Sequence, residues 1–197
     1  VKIALLVEGK TETAIKPVLK RFLDERYESE GKPRVGLTTR SLDTRLLQPK
    51  TVRKLVESNL ARADVTGVVA LIDIVSAGRP MKFKTAKEAV LFLQNCAPNA
   101  GPMYRAHAAQ HDFEAWLLPY WDGTCRRLGR QKASPGGEPE KVDHGKPPSK
   151  HLSELYRLAG RRYDKPRDAL AVLRDQDLTI SARACPQFKA FLNSLLD

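Results

Sequence analysis

VKIALLVEGKTE, residues Val1–Glu12, sets an unbroken apolar run directly against a carboxylate, a glycine and a lysine. Ile3–Val7 reads as a strand buried on both faces, the pattern of a parallel sheet rather than of a half-exposed hairpin. Beyond it, Thr11 can cap a helix that carries Ile15, Val18, Leu19, Phe22 and Leu23 on one side. Pro17 fits that helix only in its first turns, because it has no N–H to donate.

Outward from this stretch the chain alternates. A second strand is expected near Val35–Thr39, and Val52, Leu55, Val56 and Leu60 fall at helical spacing within 51–63. GVVALIDI, Gly67–Ile74, is the strongest strand in the chain. A helix over about Thr85–Asn95, a strand around Met103–Ala108 and a helix from near Asp112 follow. This order predicts an α/β fold, a mainly parallel sheet with helices on its faces. The core is assigned to residues 1–120. Residues 121–150, rich in Gly, Pro and charge, are expected to form a basic surface loop. Residues 151–197 read as short amphipathic helices, an extension packed on the core. No internal repeat is evident.

Composition narrows the function. The 197 residues carry 34 Lys+Arg against 23 Asp+Glu, a formal net charge of +11. Such an excess favours polyanionic partners, nucleic acid foremost. Cys96, Cys125 and Cys185 are too scattered for a zinc knuckle, which points to reduced thiols and a cytoplasmic location. No apolar run approaches the ~20 residues of a membrane span, so no membrane partner is expected.

In an open α/β sheet the functional crevice lies beyond the carboxyl ends of the strands. Two strong strands here run into carboxylates, Glu8 and Asp73. If the strands are neighbours, the two acids meet, and repelling carboxylates are relieved by a proton or a divalent cation. Hard oxygen ligands favour Mg²⁺ or Mn²⁺. Gly9 permits a tight turn or close ligand approach, and Lys10 can meet a phosphate at a helix N-terminus. The Gly-x-x-x-x-Gly-Lys-Ser/Thr phosphate loop is absent, and Glu8 and Glu12 read equally well as acids that complement the helix dipole.

HDFEAWLLPYW, His111–Trp121, adds an acid inside an apolar run. Burying Glu114 there is costly unless it is paired or binds a metal. On a helix, His111 would share its side. In the basic loop, Arg126, Arg127, Lys146 and Lys150 can track a phosphate backbone, and Ser149 can cap the following helix. Tyr163, Lys165 and Arg167 read either as groove lining or as surface. Nucleophile-elbow, zincin and Cys-x-x-Cys patterns are absent.

VEGKTE, a strand ending in LID, HDFEAWLL and KPPSKHLSELY, in that order, resemble the Toprim-like family catalogued as domain of unknown function 4276. The resemblance spans nearly the whole chain. It implies a Toprim-type fold, related to nucleases of the overcoming-lysogenization-defect class. A glutamate after the first strand, matched by Glu8, then acts as metal ligand or acid/base, and an Asp-x-Asp pair holds Mg²⁺. Asp73 matches the first aspartate, but Val75 stands where the second belongs, and Glu114 with Asp112 or His111 is the expected replacement. The resemblance also implies a partner ATPase of the ABC type and a place in anti-phage defence. The expected function is a Mg²⁺- or Mn²⁺-dependent nuclease acting on DNA or RNA. The alternatives are a non-catalytic module with a degenerate site that binds nucleic acid or docks on an ATPase, and a site for a phosphorylated small molecule.

Overall fold

The computed structural model describes residues 1–42, 47–76, 79–80, 83–142 and 146–197, with 75–76 and 79–80 by their backbone only. Four parallel strands form the sheet: β1 (Lys2–Val7), β2 (Gly36–Ser41), β3 (Val65–Asp73) and β6 (Tyr104–Ala109), in the order β2-β1-β3-β6. A small antiparallel ladder, β4 (Val75–Ser76) with β5 (Arg79–Pro80), follows β3. Every neighbour in the sheet is parallel, so each connection must cross a face. The crossings are made by α1 (Lys10–Ala14) and α2 (Lys16–Ser29), then α3 (Pro49–Leu60), then α4 (Ala86–Cys96).

The continuous apolar runs are explained by burial on both sides. Ile3, Leu5 and Val7 of β1 pack with Val18, Leu19 and Leu23 of α2. Ala4 and Leu6 face the other way, onto Val52 and Val56 of α3 and Ala89 and Leu93 of α4. From β1 the chain winds first outward to β2 and then back across to β3. The order therefore reverses between β1 and β3, the place where an open sheet leaves a crevice.

The C-terminal helices are α6 (Pro148–Leu158), α7 (Lys165–Leu173), α8 (Leu178–Ala184) and α9 (Pro186–Ser194). They share one apolar cluster with β1, β3 and α2, through Leu152, Val172, Phe188 and Phe191. Trp116 stacks on Phe191 at 5.8 Å and joins this extension to the segment after β6. Cys96, Cys125 and Cys185 are buried and form no disulfide with one another. Among the described residues no helix is long and apolar enough to cross a membrane.

Four local expectations need correction. Gly9, not Thr11, precedes the first helix, which stops at Ile15 so that Pro17 falls in the first turn of a new one. Asp112 does not open an α-helix. A 3-10 stretch, Phe113–Tyr120, holds Pro119 and runs straight into α5 (Trp121–Leu128). The basic loop thus begins only at Gly129, whose φ of 63° ends α5. Trp121, Thr124 and Cys125 form the buried side of α5, a signal diluted in the sequence by Gly123 and the arginines. Ser149 lies inside α6 rather than capping it.

Candidate functional site

Because Val7 pairs with Leu71, Glu8 emerges beside the end of β3. The Asp73 N–H donates to Glu8 Oε2 at 3.2 Å, which joins the two carboxylates expected to meet. One turn on, Glu12 folds back over the start of α1, where the N–H groups of Gly9 and of Glu12 itself favour its charged form against burial. Gly9 is required for this. A Cβ there would sit 2.7 Å from Glu12 Oε2.

The next strand brings two more acids. Asp73 pairs with Ala109, so the chain leaving β6 passes directly alongside. His111 takes a φ of 72° and turns the backbone, after which Asp112 and Glu114 point inward, 1% and 0% exposed. Asp112 Oδ2 accepts the Ser149 N–H at 3.2 Å. Glu114 accepts from Tyr163 Oη at 3.3 Å and from Lys165 Nζ at 2.9 Å, and the same ammonium lies 4.0 Å from Asp112. Helix α7 packs on α1, and this is how the C-terminal extension delivers a lysine to the edge of the sheet.

Among the described residues, Lys165 is the ammonium that reaches this group of carboxylates, and burial with mutual repulsion raises the proton affinity of Glu12, Asp73, Asp112 and Glu114. Burial, then Glu114 and Glu8, push Glu12 up to about 7. Burial and Asp112 push Glu114 up to about 7 even with Lys165 opposing. Asp73 rises well above the usual carboxylate range through burial and the fields of Glu12, Asp112, Glu114 and Glu8. Asp112 also rises by burial, with Lys165 and Ser149 opposing. For Lys165, burial pulls downward, but Glu114, Asp112 and Asp73 prevail and its pKa is raised.

Buried oxygens without hydrogen-bond partners remain on Glu12 (Oε2), Asp73 (Oδ1) and Asp112 (Oδ1). Such atoms are costly unless something fills their lone pairs. Hard, anionic and unpaired, they match a divalent cation in donor chemistry. Among the described residues, however, no three His, Cys, Asp or Glu side chains are drawn together into a metal-holding group. The donors fit the ion in kind, and the side chains are not closed around one.

Of the residues singled out in the sequence, Glu8, Asp73, Asp112 and Glu114 come together. His111 does not share their side. It lines a separate hollow with Glu138, Glu140 and Gln187, because its left-handed backbone breaks the helical register assumed for it. Lys10 and Lys150 are exposed in the first turns of α1 and α6. Lys146 is taken by Glu154 at 2.6 Å. Arg127 donates to Tyr156 Oη at 2.5 Å, and Arg126 lines a surface hollow with Arg130 and Lys132. The Val75 side chain, in the place of a second aspartate, lies outside the described residues. Glu12, Tyr163 and Lys165 belong to the site and were not assigned to it from the sequence. Only Glu12 had a usable signal, four residues beyond Glu8 at a helix start.

The family model described as Domain of unknown function (DUF4276) matches residues 7–196. No curated protein matches the chain. Among solved structures, the C-terminal region of the Burkholderia pseudomallei OLD protein is similar over 99% of this chain and 97% of that one, at 17% identity and a TM-score of 0.50. At that identity the likeness is one of fold, and the fold is α/β and Toprim-like.

Proposed function

The chain belongs to the DUF4276 family, and from that premise we propose that it is a divalent-metal-dependent nuclease, hydrolysing phosphodiesters of DNA or RNA at the carboxylate cluster. The observation that carries the reading is the set of three buried, unpartnered oxygens on Glu12, Asp73 and Asp112 at the strand ends. A solitary buried acid can be a structural accident, but several at a topological switch point are the usual mark of a worked site.

Glu12, Asp73 and Asp112 are the residues that would hold Mg²⁺ or Mn²⁺, with Asp112 and Glu12 replacing the second aspartate. When bound, the cation supplies Lewis-acid stabilisation of the charge developing on the phosphoryl group. Glu8, half-buried and oriented by the Asp73 N–H, takes the proton of the attacking water. Lys165 fixes Glu114 and lends positive charge beside the cluster. Lys10 and Lys150 meet phosphates flanking the scissile bond. The role of an ABC-type ATPase partner and of anti-phage defence rests on the family resemblance alone.

The ion pair of Lys165 with Glu114 favours a second reading, in which an internal ammonium replaces the metal and the protein only binds nucleic acid. Cleavage of plasmid DNA and total RNA by the wild type, Glu8→Gln and Asp73→Asn, in Mg²⁺, Mn²⁺ or EDTA and with or without the partner ATPase, separates the two. Metal-dependent cutting lost in both variants supports the nuclease. Absence of cutting, with nucleic-acid affinity unchanged or raised in the variants, supports the binding module.

A further inference from the structure

We infer that the turn joining α6 to α7 is a polynucleotide-binding rim, on which Arg161 and Arg162, with Arg127 beside them, hold the phosphodiester backbone next to the carboxylate cluster. The inference rests on the reading of that cluster as a nuclease site.

The turn is built to be rigid. Gly160, at a φ of 69°, closes α6, and the Arg161 N–H returns to the Tyr156 carbonyl at 2.9 Å. At the other end Asp164 caps α7 by accepting the Arg167 N–H at 3.0 Å, and its own N–H donates to Asp168 Oδ2 at 2.7 Å. Arg167 forms a two-pronged pair with Asp168 and donates to the Arg162 carbonyl at 3.3 Å. The charge of Arg167 is therefore spent inside the turn.

Arg161 and Arg162 are different. Both are exposed, and neither guanidinium has a partner among the described residues. Some cations elsewhere are compensated, as Lys2 and Arg62 are by Asp64, and Lys132 and Lys146 by Glu154. Arg161 and Arg162 differ from the other exposed cations in their place, on the turn whose next residues reach Glu114.

The rim is also coupled to the site. Tyr163, two residues after Arg161, donates to Glu114, and Lys165, two further on, pairs with it. Tyr163 packs on Tyr156 at 5.0 Å, and Tyr156 receives Arg127 from α5. Arg127, Arg161 and Arg167 all act electrostatically on the Tyr156 hydroxyl, which places them around one point. A cluster of five carboxylates repels a polyanion, so a substrate is held there only if uncompensated cations stand at its border. Guanidinium contacts of this kind position the backbone without reading bases.

The test is fluorescence anisotropy in EDTA, with labelled duplex DNA and labelled single-stranded RNA, across a salt series. The wild type is compared with Arg161→Ala/Arg162→Ala and with a control on another face, Arg183→Ala/Lys189→Ala. Each lost phosphate contact should lower the slope of log K against log salt by ~0.9 on duplex, so the rim variant should lose about two and the control nothing. An unchanged slope in the rim variant, an equal loss in the control, or no binding of either polymer by the wild type overturns the inference. An equal loss in the control would show bulk charge at work, and no binding by the wild type would show that these arginines hold no polynucleotide. Metal-dependent cleavage is scored separately. Cleavage with an unchanged slope removes the rim and leaves the nuclease, whereas a lowered slope without cleavage removes the nuclease and leaves the rim.

Discussion

Lys165 Nζ lies 2.9 Å from Glu114 Oε2, and the carboxylate it meets is completely buried. The two residues are 51 apart and belong to different parts of the fold. Their pairing makes the C-terminal extension a component of the site.

Lys165→Met should expose the debt this pair settles. Removing one partner of a fully buried ion pair costs ~3–5 kcal/mol because the other charge stays behind, and the Lys165 side chain, 38% exposed, should bring the loss to about half of that. Glu114 already titrates at about 7, so the loss should be large at pH 8 and small at pH 5, where the acid is protonated. Urea denaturation at the two pH values checks this, and the double variant Lys165→Met/Glu114→Gln should recover most of the loss.

The metal-free protein should become less stable as pH rises from about 4.5 to 7. Glu12 and Glu114 have folded pKa values of about 7 against 4.5 unfolded, so across that window the folded state holds protons that the unfolded state has released. Stability is then fully present below 4.5 and lost as pH climbs through 7, on the order of 3 kcal/mol for one such group. Added Mg²⁺ or Mn²⁺ should raise the melting temperature more at pH 8 than at pH 5, because protons and cation compete for the same oxygens. Thermal melts over this range measure both trends.

Gly9→Ala should damage the site more than the fold. At a φ of −120° the backbone accepts alanine, but the new Cβ would collide with Glu12 Oε2. The Glu12 side chain must swing away from the N–H groups that favour its charged form, at ~1 kcal/mol. Melting should shift little, while metal-induced stabilisation falls sharply.

Glu140→Ala should be purely structural. This buried carboxylate accepts from Trp116 Nε1 at 2.8 Å and from the N–H groups of Gln187 and Phe188, which lashes the loop to the start of α9. Stranding those donors should cost about 3 kcal/mol, and Glu140→Gln should restore much of it by keeping an acceptor. Tryptophan fluorescence during denaturation reads the change, and metal response should survive.

Much of this architecture was legible because strands buried on both faces leave continuous apolar runs. Ile3–Val7 and Gly67–Ile74 announced the sheet, and the acids at their ends announced the crevice. Glu114 stood out as a charge amid Phe113, Ala115 and Trp116. Glu12 did not, because an acid in a first helical turn is ordinary. Lys165 and Tyr163 reach Glu114 across sequence separations of 51 and 49, and no local pattern encodes such a contact. His111 misled because helical spacing was assumed through a residue whose backbone is left-handed.

The most direct measurement is Mn²⁺ binding by electron paramagnetic resonance, the free-ion signal being followed as protein is added, for wild type and Asp73→Asn at pH 8. Saturable, stoichiometric binding that is lost in Asp73→Asn while the fold persists is the predicted result. No binding by the wild type, or equal binding by the variant, would contradict a metal site at this cluster and leave it neutralised by Lys165 and by protons.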